Sequence, residues 1–324
     1  MPQATANGLS LEYETFGKPE NPAILLIMGL GAQLTLWPEN FCRALAKAGY
    51  YVIRYDNRDV GLSSKLDSHH KPRLVRAGLA YKLGLRVRAS YTLDDMAQDA
   101  VGLLDALGIR RAHVIGASMG GMIGQILGAK YGERLRSLVL VMTNSGHPRL
   151  PGPSLKISLR LVKRPKRHDR ETLIQHAFET WQLIASPGYP VPDAERLERI
   201  SQHFDRAHHP RGLARQTLAI FASGDRSALL PSITAPTLII HGEDDLLVPV
   251  AAAYDLAKRI PQSTLNVIPG MGHDLPNPLI PTIAASVLRH IRAAERTHKT
   301  RAQRNERRPQ PSPAPNETGR LSAP

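Results

Sequence analysis

Residues 112–131 read AHVIGASMGGMIGQILGAKY. Ala112 to Ile115 is a short apolar run bounded by glycine, the pattern of a buried strand. A helix is expected from Met119 to Tyr131, with Gly120, Gly124 and Gly128 in an i, i+4 row that lets it lie close on a sheet. Between the two, Gly116-Ala117-Ser118-Met119-Gly120 fits the G-x-S-x-G elbow, a sharp strand-to-helix turn that presents a serine hydroxyl. Small flanking residues are needed there because the backbone is crowded. The pentapeptide alone turns up by chance in about one chain in ten of this length. The strand before it and the helix after it give it weight.

The same rhythm extends in both directions. Leu9 to Phe16 alternates with period two, and Ala23 to Met28 is a continuous apolar run. Pro38 opens a helical stretch that Gly49 stops, and Tyr51 to Tyr55 is a strand ending at Asp56. Leu93 to Leu107 carries a helical apolar stripe of Met96, Ala100, Leu103, Leu104 and Leu107, and Arg136 to Met142 is again a strand. Strands separated by helices predict an α/β fold with a mostly parallel central sheet. From about Ser145 to Leu230 the alternation stops and helical patterns with proline breaks take over. It resumes with strands at Pro236 to His241 and Thr264 to Ile268, and a last helix from about Ile280 to Ala293. The expected organisation is a core over residues 1–145 with a basic, lid-like insertion at 65–90, an inserted helical cap at 146–230, and the rest of the core at 231–300. Residues 301–324 are nearly devoid of apolar side chains and proline-rich, so a disordered tail is expected there.

The chain of 324 residues is long enough to bury a full core, and 42% hydrophobic with 22% charged residues excludes a fibrous or wholly disordered protein. The single cysteine, Cys42, excludes a disulfide framework or a cysteine-built metal cluster. The first residues show no basic region followed by an apolar run, and no apolar stretch approaches the ~20 residues of a membrane span, so a cytoplasmic protein is expected. The net charge of +14 is unevenly spread. Lys71, Arg73, Arg76, Lys82, Arg86 and Arg88 occur with no acid between Lys71 and Tyr91. Residues 156–170 hold only Asp169 among their cations, and a third basic stretch runs from Arg292 to the end. No helix-turn-helix, zinc-finger or RNP-like pattern accompanies them, and aromatics for base stacking are few, so no nucleic-acid partner is expected. Solvated basic faces account for them.

A serine nucleophile needs a base and a group to orient that base. Gly272-His273-Asp274 follows the strand TLNVI, and His241-Gly242-Glu243-Asp244-Asp245 follows the strand TLII. Ser118, Asp245 and His273 then occur in the order expected for the elbow geometry. Asp244 is a rival to Asp245, because spacing does not separate neighbours. The oxyanion needs two backbone N–H donors. Met119, next to the nucleophile, supplies one. The turn Met28-Gly29-Leu30-Gly31 supplies the other, expected at Leu30. No His/Asp/Glu cluster has metal-ligand spacing, so no metal or cofactor is expected.

MGLGAQ, YDNRDVGLSS, YTLDDMA, GASMGG, HGEDDLLVP and GMGHD together resemble the α/β-hydrolase-fold family over roughly residues 8–295. Among its members the chain looks most similar to the bacterial branch of aclacinomycin methylesterase-like serine hydrolases. The resemblance implies an esterase acting on a methyl ester or other carboxylic ester. It also implies that Asp56 and Arg58 brace their loop and take no part in catalysis. A serine at the elbow, where dehalogenases and epoxide hydrolases carry aspartate, speaks against both. Met28 stands where most relatives have histidine, which leaves a backbone donor unaffected. Residues 65–90 look longer and more basic than in that branch, so its polyketide substrate does not carry over. The expected protein is a serine hydrolase with a small-molecule ester substrate, whose pocket is walled by the cap and by Trp37. An acyltransferase or perhydrolase on the same residues, or a ligand-binding receptor with slow turnover, are the alternatives. Contact of the basic insertion with a membrane surface is a further expectation. The oligomeric state is open.

Overall fold

The computed structural model describes residues 1–66, 74–163 and 165–306. In chain order the first elements are β1 (Gln3–Ala6), β2 (Leu9–Phe16), β3 (Ala23–Ile27), α1 (Glu39–Lys47), β4 (Tyr51–Tyr55), α2 (Leu74–Lys82) and α3 (Leu93–Ala106). Then come β5 (Ala112–Ala117), α4 (Met119–Lys130) and β6 (Leu135–Val141). Four helices follow: α5 (Leu155–Val162), α6 (Arg170–Ile184), α7 (Asp193–Arg206) and α8 (Pro210–Ser223). The chain continues through β7 (Thr237–Gly242), α9 (Ala251–Arg259), β8 (Ser263–Ile268) and α10 (Ile280–Glu306). The strands form one eight-stranded sheet in the order β1-β2-β4-β3-β5-β6-β7-β8. The pairs β1/β2 and β2/β4 are antiparallel, and every other pair is parallel.

The period-two pleat explains why the central strands are apolar throughout. In β3, Leu25 and Ile27 enter a core shared with α3, α4 and α9, where Met96, Leu103, Ile123 and Leu256 are buried. Ile24 and Leu26 point to the opposite core, made with α1 and α10 through Phe41, Leu45, Ile283 and Val287. Each such side chain contributes about 1.5–3 kcal/mol when fully buried. Thr92 and Asp95 form a capping box at the start of α3.

Two departures from the sequence reading concern the ends. β1 is an additional edge strand, turned onto β2 at Asn7 and Gly8, both with positive φ (49° and 75°). The last helix runs past Ala293 to Glu306, so residues 301–306 are helical where a disordered tail was expected. Residues 307–324 lie outside the described residues, as do 67–73 of the basic insertion.

The two long connections leave the sheet at the carboxyl ends of parallel strands. One follows β4 and carries α2; the other follows β6 and carries α5 to α8. Open α/β sheets place their sites at that end.

Candidate active site

Ser118 sits at the join of β5 and α4 with φ 53° and ψ −118°, a conformation that non-glycine residues adopt only under strain. Neighbours hold it there: its N–H donates to the Val141 carbonyl at 2.9 Å, and the Thr143 hydroxyl donates to its carbonyl at 2.7 Å. The glycines of the elbow have a steric reason. A Cβ on Gly116 would lie 2.2 Å from the Gly120 carbonyl oxygen, and one on Gly120 would lie 2.0 Å from that of Ile27.

Two loops converge on this serine. His273 Nε2 is 3.0 Å from Ser118 Oγ, and His273 Nδ1 is 2.7 Å from Asp245 Oδ2. The other oxygen of Asp245 accepts the backbone N–H groups of Leu247 and Val248 at 2.9 and 2.8 Å, which fixes the carboxylate plane. Asp244 faces solvent and instead accepts the Gly270 N–H at 2.9 Å. The neighbours that spacing left undivided are thus divided by geometry. His241 lies under the same loop and donates from Nε2 to the Val248 carbonyl at 2.7 Å. Burial pushes its pKa down, against the pull of that bond and of Asp245.

The histidine loop is fastened to the segment after α6. The His273 N–H donates to the Ile184 carbonyl at 2.7 Å, and the Gly272 N–H to Ser186 Oγ at 2.9 Å. Ser186 donates in turn, from its hydroxyl and its N–H, to the buried Asp274 carboxylate. Burial raises the Asp274 pKa more than the Ser186 bonds lower it.

Gly29 abuts the nucleophile: a Cβ there would be 3.1 Å from Ser118 Cβ. This brings the turn that contains Leu30 alongside Ser118, with Met119 on its other flank. Among the described residues, the Leu30 and Met119 N–H groups meet no protein acceptor. The turn is held by residues far away in sequence. Asn57 Nδ2 donates to the Met28 carbonyl at 3.0 Å, and the Leu34 N–H to Asp56 Oδ1 at 2.7 Å. Gln216 of α8, fully buried, accepts the Gly31 N–H at 2.8 Å and donates to the Arg58 carbonyl at 2.8 Å. Gln33 donates to the His203 and Ala207 carbonyls at 2.6 and 2.9 Å. It accepts from Arg206, which also pairs with Asp56 at 2.8 Å. The His203 ring is pushed down to about 4 by burial, against the Asp56 charge and a hydrogen bond to the Gly31 backbone.

Asp56 and Arg58 brace this region as the resemblance implied: Arg58 makes a bidentate pair with Asp99, both contacts at 2.5 Å. A second buried pair joins α8 to the same loop, with Arg215 bound to Asp59 at 2.8 and 2.6 Å. Burial pushes Asp59 up, but those bonds outweigh it and its carboxyl stays below the usual range. Sequence reasoning missed Gln216, Arg206 and Ser186, which lie in no motif, and gave no role to Gln33, the last residue of the MGLGAQ stretch. Trp37 requires correction. It is 1% exposed, stacked on Phe41 at 5.7 Å between ring centroids, and belongs to the α1/α10 core, not to a pocket wall. Leu213 of α8 packs against the turn instead: a Cβ on Gly31 would lie 2.6 Å from its Cδ1.

A strained serine elbow at a strand end, beside a histidine paired to a carboxylate, defines a hydrolase of the doubly wound kind. The chain belongs to the alpha/beta hydrolase fold family, whose model matches residues 22–276. It is 32% identical to a rhodomycin D methylesterase from Streptomyces sp. (strain C5), over 90% of this chain and 97% of that one. Among solved structures it resembles the enol-lactonase from Burkholderia xenovorans LB400, with TM-score 0.68 and 26% identity over 90% of this chain and 99% of that one. It also resembles a meta-cleavage product hydrolase from Pseudomonas fluorescens IP01, with TM-score 0.72 and 20% identity over 91% and 98% of the two chains, a likeness of fold.

Proposed function

We propose that the protein is a serine esterase that hydrolyses a carboxylic ester through an acyl-enzyme. The observation that carries the reading is the His273 imidazole between Ser118 Oγ at 3.0 Å and Asp245 at 2.7 Å. The similarity to a rhodomycin D methylesterase makes a methyl ester the first candidate substrate.

In this mechanism His273 Nε2 takes the Ser118 hydroxyl proton as Oγ attacks the acyl carbon. Asp245 keeps the other ring proton on Nδ1 and stabilises the imidazolium. The Leu30 and Met119 amides donate to the oxyanion, a contribution of about 2.7–4 kcal/mol per donor where such donors have been removed. As the tetrahedral intermediate collapses, the imidazolium returns its proton to the leaving alcohol. Water then attacks the acyl-enzyme, with His273 as base, and releases the acid and free Ser118. Exposed Leu30 on the oxyanion turn and Leu246 on the acid loop support a small or amphiphilic substrate.

The test is hydrolysis of a graded panel of methyl and p-nitrophenyl esters by the wild-type chain and Ser118→Ala. Steady turnover is expected, with a loss of about 10³-fold or more in kcat for the variant, since such groups act as a unit. One equivalent of alcohol followed by a stall would point to a receptor, and turnover only with an added alcohol or peroxide to acyl transfer.

A further inference from the structure

The basic insertion does not bury its aliphatic side chains. α2 packs on α8 through one face, where Tyr81 stacks on Phe221 at 5.2 Å and Gly78 lies beneath the same ring. Val75, Leu79 and Leu83 fall at i, i+4 and i+8 on another face, and they are 82%, 59% and 65% exposed. Leu85, just beyond, is exposed as well. The cations Arg76, Lys82, Arg86 and Arg88 flank this stripe and are themselves exposed. α5 repeats the pattern: it turns Ile157 inward and leaves Leu155, Leu159 and Leu161 outside, with Lys156 and Lys163 beside them. These two segments hold more than half of the large exposed hydrophobic residues described.

We propose that this surface is a docking site for an anionic lipid bilayer. An aliphatic stripe edged by Lys and Arg, with no acid from Lys71 to Tyr91, is complementary to acyl chains beneath a layer of negative headgroups. The chain's own remaining segments do not suit it. Residues 67–73 read DSHHKPR and offer no aliphatic side chain, and residues 307–324, RRPQPSPAPNETGRLSAP, carry one leucine and more cations than acids. Position supports the assignment. α2 and α5 stand in the connections that leave the carboxyl ends of β4 and β6, and Ser118, Asp245 and His273 lie at the same end of the sheet. α5 begins directly on the acid loop, its Ser154 N–H donating to the Leu246 carbonyl at 3.0 Å. Docking there seats the candidate active site at the lipid surface, where an amphiphilic ester is concentrated.

The experiment is co-sedimentation of the full chain with vesicles of phosphatidylcholine alone or mixed with phosphatidylglycerol, at low and high salt. Binding to the anionic vesicles alone is expected, weakened by salt because surface attraction is screened over ~8–10 Å at physiological ionic strength. The double variant Leu79→Gln/Leu83→Gln and the triple variant Arg76→Gln/Arg86→Gln/Arg88→Gln should each weaken it about tenfold or more. Both should still hydrolyse a soluble short-chain ester at the wild-type rate. Absence of binding to anionic vesicles overturns the proposal. So does binding that both variants retain in full, which assigns it to the basic C-terminal residues. A solution dimer that Leu79→Gln/Leu83→Gln dissociates also overturns it, in favour of a second copy of the chain on this stripe.

Discussion

Asp244 and Asp245 show how sharply one position separates two carboxylates. Asp245 Oδ2 meets His273 while its other oxygen is held by two backbone N–H groups; Asp244 caps Gly270 from the surface. Asp245→Asn should therefore lower kcat on the order of 10³–10⁴-fold, because an amide supports the wrong imidazole tautomer. Asp244→Asn should cost less than tenfold in the same steady-state assay, since it alters a loop contact and no reacting group. The reverse ranking would move the orienting role to Asp244. Gly120→Ala is expected to destabilise by about 1–3 kcal/mol, as overpacking does. Its Cβ would meet the Ile27 carbonyl oxygen at 2.0 Å, and that atom belongs to a central strand that cannot give way. Denaturant unfolding measures this directly. Ser118 and His273 were legible because they follow closely on β5 (Ala112–Ala117) and β8 (Ser263–Ile268), strands whose apolar pattern is unmistakable.

At the scale of elements, the turn at Met28–Gly31 is supported by helices inserted some 180 residues later. Gln216 is the clearest link: its fully buried side chain satisfies the Gly31 N–H and the Arg58 carbonyl at once. Gln216→Leu removes the partner of both groups and leaves the buried Arg58 carbonyl without this bond, a cost of about 1–3 kcal/mol. With the turn loosened, kcat on a short ester should fall roughly tenfold while KM changes little, because the oxyanion donors act mainly in the transition state. A change confined to KM would mean that Gln216 shapes the pocket and leaves the turn alone. None of this was readable in sequence, because α8 is joined to the turn by contacts that no periodicity encodes. In α2 it is Phe221 that decides which side packs on α8, through Tyr81 and Gly78.

At the scale of the molecule, six histidines answer to acid in the same direction. His176, His203, His208, His209, His241 and His290 are all pushed below the ordinary histidine range, chiefly by burial. The unfolded chain takes up protons that the folded one refuses, so stability is full above the ordinary pKa near 6.5 and falls as pH drops below it. For His203, whose folded value is about 4, the loss completes near that pH and is on the order of 3 kcal/mol at most. Thermal unfolding between pH 7.5 and 4.5 should show Tm declining from about pH 6.5 downward. His203→Gln should flatten part of that slope; a Tm independent of pH over the range would contradict the assignment.

The sequence by itself determined the strand–helix alternation, the serine elbow and the histidine loop, since these depend on local periodicity and on turns that only small residues can make. The edge strand β1, paired onto β2 through the positive-φ turn at Asn7-Gly8, was not read from the sequence. Tertiary structure alone decided which of Asp244 and Asp245 faces His273, that Trp37 belongs to the core, and that Gln33, Gln216, Arg206 and Ser186 hold the loops around Ser118. The physical reason is common to all of these. Side-chain direction at the end of a strand, and the pairing of buried polar groups across long connections, are set by whichever surface packs against them, and a linear pattern carries no record of that surface.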